Sequence, residues 1–516
     1  MRRSLIQSCV DRRVGILAIL TTTCLLSATS NRVGSGELRT LSVEQCISTA
    51  LERNHEVPAS RAAVAVAEAQ HRQALSGYWP QLNLNAGYLH MNEPPNFIFP
   101  SSTFLIPQQN LSIPGGEAMA TVPAGSLGPG FPPTDLTLPI SYAGQDITIP
   151  AQEFPIPEQD IKLMDENSWF AAVEMQWLLW DGGMRKGIRQ QAAAGLDVAH
   201  EEERRTELEI TDSVTRLYHG AVLARQLRRV GQDTLARMEA TLSLTETMYK
   251  EGAGTVDKTD FLDNKVMVET LRSAVAQLEK NEAMAQAALA YTMGLAWHES
   301  VRPANEEIPF EPVRIDMDSF VEAAYGFNPD WRSVEAGVRA AEGSLREAKS
   351  GRYPKLAATG EIHRWWNSYD AGMATDVNKQ GWAVGLGIKV PIFNGMLTQG
   401  RIGEARARLN RISEQQIVLR EGIGLQVRDT LLGIEAAEKR YEATLEAMNS
   451  AIENRELNIR AYQNDLVETE DVIKAQLMEA FMSAQHYKVV YDHAELLSKL
   501  NLVVGTNVSH QTAGGK

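Results

Sequence analysis

Few residues of this 516-residue chain have a type and spacing that could do chemistry. Its ten histidines are scattered, and no pair stands at metal-ligand spacing with a carboxylate. His486 and His493 lie seven apart on one helix face and are expected at the surface. No glycine-rich phosphate loop opens a helix after a strand. Glu201-Glu202-Glu203 reads as a solvated helix face. Cys46 is the only cysteine after residue 30, which excludes an intrachain disulfide beyond that point. No catalytic residue, metal or cofactor is therefore expected. What remains is electrostatic. Asp260 and Asp471 each stand near a helix start. A carboxylate there either caps the helix and pairs with its dipole, or, repeated around an axis, repels its copies and attracts cations.

The net charge is −15. Arg2, Arg3, Arg12 and Arg13 against Asp11 give residues 1–30 a charge of +3, leaving −15 − 3 = −18 for the rest. Such an acidic chain is a poor partner for nucleic acid. The arginines precede an apolar run from Val14 to Leu26 and the small residues Ser27-Ala28-Thr29-Ser30, which is the pattern of a secretory leader over 1–30. That run of 13 is short of the roughly 20 residues of a membrane span. Cys24 raises lipidation, in the poor context of Thr22-Thr23. No later segment reaches 18 apolar residues, so no transmembrane helix is expected.

The chain is internally duplicated. Residues 50–82 align with 324–356 at a spacing of 274, matching Ala50/Ala324, Asn54/Asn328, Glu68/Glu342 and Pro80/Pro354. At a spacing of 213, Trp169 matches Trp382, Trp180-Asp181-Gly182 matches Phe393-Asn394-Gly395, and Tyr249 matches Tyr462. A period this long marks a duplicated fold unit. The organisation read from it is a leader at 1–30, a first repeat over 31–300, a second over 301–505 and a flexible tail at 506–516.

Proline placement separates the elements. Of 21 prolines, 13 fall between Pro94 and Pro157, with none from 158 to 302 and none from 392 to 516. Helix interiors reject proline, so only the proline-free tracts can be long helices. From Ile210 a 4-3-4-3 stripe runs through Val214, Leu217, Ala221, Ala224, Arg228, Gly231, Leu235, Met238, Leu242 and Thr245 to Tyr249. This is a coiled-coil seam, with Arg228 and Gly231 the exceptions. A helix over 184–251 would have 68 residues, or roughly 100 Å. Helices at 58–77 and 256–295 total 60 residues. In the second repeat, 396–464 makes 69, and 330–350 with 467–503 totals 58. Two short helices stacked end to end thus match the long one beside them.

The strands carry the membrane signal. In 169–180 the odd positions Trp169, Ala171, Val173, Met175, Trp177 and Leu179 are apolar, while Glu174 and Gln176 are not. In 381–393 the even positions Trp382, Val384, Leu386, Ile388, Val390 and Ile392 are apolar. Twelve-residue alternation fits a membrane strand. Weaker partners lie near 80–90 and 355–366. Trp79, Trp169, Trp177, Trp180, Trp365, Trp366 and Trp382 fall in or beside the four strands, as an interfacial aromatic girdle would. Four strands cannot close a membrane barrel, so the barrel must be shared between chains. The fold class expected is mainly α, with long antiparallel coiled-coil helices and a β-barrel part.

In this order, twice over, these features resemble the outer-membrane efflux protein family of TolC-like channels. The resemblance covers residues 41 to about 505 apart from 91–167. It rests on the duplicated unit, on the aromatic-Asx-Gly turns with Asp181, Gly182, Asn394 and Gly395, and on the helix ends at Tyr249 and Tyr462. It implies a homotrimer with a 12-strand barrel in outer-membrane lipid and an α-barrel through the periplasm. It also implies a periplasmic adaptor, an inner-membrane transporter and an iris-like gate, in an efflux pump or type I secretion system. Thr259-Asp260 and Asp471-Val472 match residue pairs that open the returning helices, and Tyr462 matches the gate tyrosine. Docking turns are implied at Gly252, Gly254, Thr255, Asp465 and Val467. Asp465 stands where glycine is usual, and Lys474 where a second aspartate can stand. The two-residue register change between repeats is read as an insertion at the first tip, over 252–258. The other reading of the heptads is a structural or adhesive envelope protein, which would lack the two-faced strands. The proline-rich insert 91–167 is expected to constrict or cap the outer mouth rather than fold as a separate domain.

Overall fold

The computed structural model describes residues 39–112, 116–122, 136–142, 146–163, 165–251, 256–314, 316–367, 379–464 and 466–506. The leader with Cys24, the turn residues Gly252, Gly254, Thr255 and Asp465, and the tail beyond Thr506 lie outside the described residues. In chain order the first repeat runs β1 (Arg39–Leu41), α1 (Val43–Arg53), α2 (Glu56–Ser76) and β2 (Gln81–His90). Eight short strands follow: β3 (Asn96–Phe99), β4 (Ser102–Ile106), β5 (Gln109–Ser112), β6 (Gly116–Val122), β7 (Leu136–Tyr142), β8 (Asp146–Ile149), β9 (Gln152–Ile156) and β10 (Gln159–Lys162). Then come β11 (Asn167–Trp180), α3 (Met184–Glu251) and α4 (Lys258–Thr292). The second repeat runs β12 (Val301–Pro303), α5 (Met317–Phe327), α6 (Pro329–Ser350), β13 (Lys355–Asn367), β14 (Gln380–Lys389), α7 (Leu397–Tyr462) and α8 (Thr469–Val504).

Two compact units each draw on both repeats. The helical unit comprises Met1–Ala74, Lys186–Ala348 and Gln399–Lys516; the strand unit comprises Leu75–Arg185 and Lys349–Thr398. The helical unit builds its core twice at equivalent positions. One cluster holds Cys46, Ala50, Ile210, Val214, Tyr218, Leu289 and Met293; the other holds Phe320, Ala324, Ile423, Val427, Leu431, Leu500 and Val504. Four of these seven pairs keep the same residue and three differ, Cys46/Phe320, Tyr218/Leu431 and Met293/Val504, so burial is kept at every position and identity at most of them. Both exceptions in the α3 stripe have packing reasons. Arg228 forms an ion pair with Glu282 of α4. A Cβ on Gly231 would stand 2.8 Å from Leu278, so glycine there lets α4 approach closely.

The end-to-end stacking of short helices depends on two equivalent asparagines. Asn54 Nδ2 donates to Thr292 O at 2.9 Å, and Asn328 Nδ2 donates to Val503 O at 2.8 Å. Asn54 Oδ1 accepts from Glu56 N–H, and Asn328 Oδ1 from Trp331 N–H, so each side chain caps one helix and ties down the end of another. Beside them Gly294 (φ 73°) and Gly505 (φ 81°) adopt the left-handed conformation against the carbonyl groups of Arg53 and Phe327.

In the strand unit one antiparallel sheet has the order β14-β13-β11-β2. The fourth strand ends at Lys389 rather than at 393. Pro391 lacks an N–H and restricts the residue before it, and Ile392 and Phe393 are almost fully exposed. The insert is also more regular than its prolines imply. Its eight strands pair as β3–β10, β4–β9, β5–β8 and β6–β7, all antiparallel. The prolines fall mainly between these short ladders. Pro139 and Pro155 lie within strands, which a two-stranded ribbon tolerates because every strand in it is an edge.

Replacing Gly294 or Gly505 by alanine is expected to cost at least about 1–3 kcal/mol from the positive φ alone. Urea titration of the detergent-solubilised protein should show lower midpoints for both variants. Unchanged midpoints would mean that the splices do not hold the helices.

Candidate functional site

At the first strand-to-helix turn, Asp181 is buried and its carboxylate accepts the N–H of Gly183 at 2.9 Å and of Arg185 at 3.0 Å. It also pairs with Arg185 Nε at 2.7 Å. Burial alone would raise this carboxyl, but the backbone donors and the guanidinium outweigh it and hold it below the ordinary range. Gly182 (φ 66°) turns against Tyr353, where a Cβ would be 2.5 Å away. The second turn repeats the i-to-i+4 contact, with Asn394 Nδ2 donating to Thr398 Oγ1 at 2.6 Å. Gly395 (φ 63°) and Met396 (φ 67°) there match the two positive-φ glycines of the first.

The sheet between these turns has two chemically distinct faces. The registers put odd residues of β11 on one face with even residues of β2, β13 and β14. That face carries Leu84, Val173, Ile362, Trp382, Val384 and Leu386, all exposed. Burying each such side chain would stabilise by roughly 1.5–3 kcal/mol. From Trp169 to Trp177 the strand rises about 26 Å, close to the height of a membrane-facing apolar band. The other face carries Asn83, Asn85, Glu174, Gln176, Thr359 and Glu361. Glu174 and Glu361 are direct partners; Asn85 donates to Glu174 at 2.8 Å, and His363 Nδ1 lies 3.2 Å from Glu361. Trp365 departs from the expected girdle. It lies on this polar face, paired with Phe170 at a ring separation of 5.3 Å, because its parity is opposite to that of Trp366. Trp79, Trp169, Trp177, Trp180, Trp366 and Trp382 are exposed.

Near the turns joining α3 to α4 and α7 to α8, polar rungs cross the helical unit. Glu479 accepts a hydrogen bond from Arg237 at 3.1 Å and forms an ion pair with Arg455 at 3.0 Å. Gln476 donates to Thr241 at 3.1 Å. Buried Tyr462 has its hydroxyl 3.3 Å from Thr245 Oγ1 and 3.0 Å from Thr469 Oγ1, and Asn264 donates to Thr245 at 3.2 Å. Met238, Val268 and Ile473 pack between the rungs. The sequence named Tyr462 and placed Thr245 in the α3 seam without a polar role, but gave no sign of Asn264, Thr469, Gln476 or Glu479. The signal available was Thr241, four residues before Thr245 and beside the seam.

The two aspartates differ. Asp260 and Asp257 form a reciprocal capping box, each carboxylate accepting the other's N–H at 2.9 Å, so Asp260 is committed to the helix end. Asp471 is exposed in the first turn of α8, and its carboxylate takes no hydrogen bond among the described residues. Lys474 pairs instead with Glu470 at 2.6 Å. Its amine is held above the ordinary range first by Glu470 and then by Asp471 and Glu468. Tyr249 stacks on Phe261 with centroids 6.0 Å apart; Thr259 is exposed and Val467 half-buried. Each hairpin connection has six residues, while α3 has 68 and α7 has 66. The two extra residues therefore lie in the long helix, not in the turn.

One surface expectation fails. His493 is fully buried and His486 nearly so. Phe310, from the segment after β12, packs on His493 at 4.5 Å and stacks on Tyr441 at 3.7 Å, covering a helix face that spacing alone left open. Glu201 pairs with Arg204 and Glu203 with Arg61, leaving Glu202 as the exposed member of the trio.

Comparison with known proteins gives the class. The family described as "Outer membrane efflux protein" matches residues 158–295 and 321–506. Protein CyaE of Bordetella pertussis is 26% identical over 329 residues, covering 62% of this chain and 66% of CyaE. Outer membrane efflux protein BepC of Brucella suis is 20% identical over 334 residues, covering 63% and 70%. Among solved structures, the outer membrane protein VceC of Vibrio cholerae superimposes with a TM-score of 0.67 at 16% identity, covering 90% of this chain and 96% of VceC. The Neisseria gonorrhoeae MtrE outer membrane channel gives 0.64 at 15% identity, covering 90% and 89%. These are proteins of the outer-membrane channel class, part strand and part long helix. The chain belongs to the outer membrane efflux protein family and is by that membership an outer-membrane exit duct with a periplasmic extension.

Burial lowers the imidazoles of His219 (to about 4), His486 and His493. They are neutral when folded, whereas the unfolded chain protonates near 6.5. Their stabilisation is therefore complete above about pH 6.5 and is lost as pH falls toward 4. Thermal unfolding should show a midpoint that drops through this window, and His219→Gln should flatten it. A wild-type midpoint constant from pH 7 to 4 would contradict the assignment.

Proposed function

We propose that this chain forms a homotrimeric duct that conducts substrate passively from a periplasmic tip to the exterior. It would serve a tripartite efflux pump or a type I secretion system, engaging a periplasmic adaptor and an inner-membrane transporter. The observation that carries the reading is the sheet: apolar on one face, polar on the other, with β2 and β14 unpaired at its edges. Lipid offers no hydrogen bonds to such edges. Three four-stranded sheets make twelve strands, above the smallest membrane barrels of about eight and wide enough for a bore. The helical unit also supports association between copies. Val418, Leu425 and Leu432 repeat every seven residues along α7 and are 72%, 67% and 51% exposed, a seam awaiting another helix.

The gate in this reading is the Tyr462 clasp. It ties the α3–α4 hairpin to the α7–α8 hairpin within one chain, so opening the tip must break it. Each neutral hydrogen bond is worth about 1 kcal/mol, or roughly fivefold in a closed-to-open ratio. Tyr462→Phe combined with Thr245→Val should raise the open probability of single channels in planar bilayers about five- to thirtyfold. Wild-type gating in this double variant would remove the clasp from the gate.

Asp471 supplies the charge. Three copies on an axis would repel one another and attract cations. In the same recordings Asp471→Ala should weaken both cation preference and block by multivalent cations. If block and reversal potential stay unchanged, Asp471 lies away from the conduction path.

A further inference from the structure

The insert is one ribbon rather than four separate hairpins. In each of its ladders the residue numbers of paired Cα atoms sum to 258, from Asn96↔Lys162 to Val122↔Leu136. The β2–β11 pairing sums to 257, as in His90↔Asn167. A single extra residue on the outgoing side separates the two registers. Met91 N–H donates to Glu166 O and Leu163 N–H to Pro95 O, both at 2.8 Å, which carries the hydrogen bonding across the join. The ribbon therefore grows directly out of two strands of the sheet.

Two strands alone have no core and are marginal in water. This ribbon also exposes large apolar side chains on both sides. Phe97, Phe99 and Leu105 are 50–54% exposed on one face, and Ile98 and Phe104 are 51% and 40% exposed on the other. Phe97 and Phe99 touch at a ring separation of 4.8 Å, and exposed apolar side chains gathered in this way mark a site of association. Where the ribbon is rooted selects the occupant. Its outgoing arm, β3 to β6, continues β2, the edge strand whose free side must face the next copy in a closed barrel. No proline lies within the strands of that arm, whereas Pro139 and Pro155 remove donors from the return arm. The edge turned toward the neighbouring copy is thus the one left able to pair. Three ribbons on one rim also sit at millimolar effective concentration, so individually weak contacts suffice.

We infer that the insert is a self-association surface: the ribbons of three copies pack on one another as a collar above the barrel. The inference rests on the trimeric reading, and its test separates the two. Single cysteines replace Phe97, Phe99 and Leu105 in turn, in the full chain in outer membranes, with a short bis-maleimide as probe. The unsubstituted chain, whose Cys46 is fully buried, is the blank. A control carries cysteines at Leu84 and Leu386 on the two edge strands. A covalent dimer at one or more ribbon positions, absent from the blank, is the expected result. Monomers at all three positions beside a cross-linked control would overturn the collar and leave the trimer standing. Monomers in both would overturn the collar together with the closed barrel. As a second readout, the Phe97→Ser/Phe99→Ser/Leu105→Ser variant should lose heat-resistant trimer at a lower temperature than the parent, while the control cross-link persists. An unchanged temperature would also count against the collar.

Discussion

Backbone amide and carbonyl groups at a sheet edge must find partners, and in lipid no water supplies them. The rest of this molecule depends on that constraint. A four-stranded sheet with one apolar face is neither a stable soluble object nor a closed membrane one. Its edges, β2 and β14, would be satisfied in the proposed ring of copies, and such a ring would enclose an interior. The polar face of the sheet then has a use, and so do the exposed leucines along α7. A soluble two-faced sheet would have covered its apolar side with its own helices.

Duplication simplifies the construction. Asn54 and Asn328 perform the same double duty, and Asp181 and Asn394 open the two long helices through equivalent contacts four residues on. The halves have diverged where chemistry permits. A salt bridge in one turn is a hydrogen bond in the other, and Tyr218 stands where its counterpart is Leu431. Burial is the common requirement, and it tolerates such exchanges as long as volume and polarity find partners.

Much of this architecture was legible in the sequence because it is periodic. The 274 and 213 spacings mark equivalent elements, and strict alternation marked β11 and most of β14. What was not legible depended on neighbours distant in sequence. His486 and His493 sit on a helix face that only the segment carrying Phe310 covers. Trp365 and Trp366 are adjacent in sequence, and register alone decides which lies on the polar face of the sheet. Thr245 and Thr469 are ordinary helix residues until Tyr462 lies between them. The strands of the insert were hidden because proline reads as a breaker, although it recurs about every seven residues at the joints between short ladders: Pro100 and Pro107, then Pro150 and Pro157. The Asp257/Asp260 cap was half legible: Asp260 stood near a helix start, but its partner Asp257 had not been singled out.

The unequal lengths of α3 and α7 bear on rotational symmetry. Six hairpin ends around the duct would be interchangeable if both long helices had the same number of residues. The surplus of two residues carries one kind of end about 3 Å further than the other. In the proposed trimer, long and short ends would alternate and notch the rim every third of a turn. A cap seated on such a rim would be keyed like a plug in a socket: a twist of one-sixth of a turn would not restore the fit.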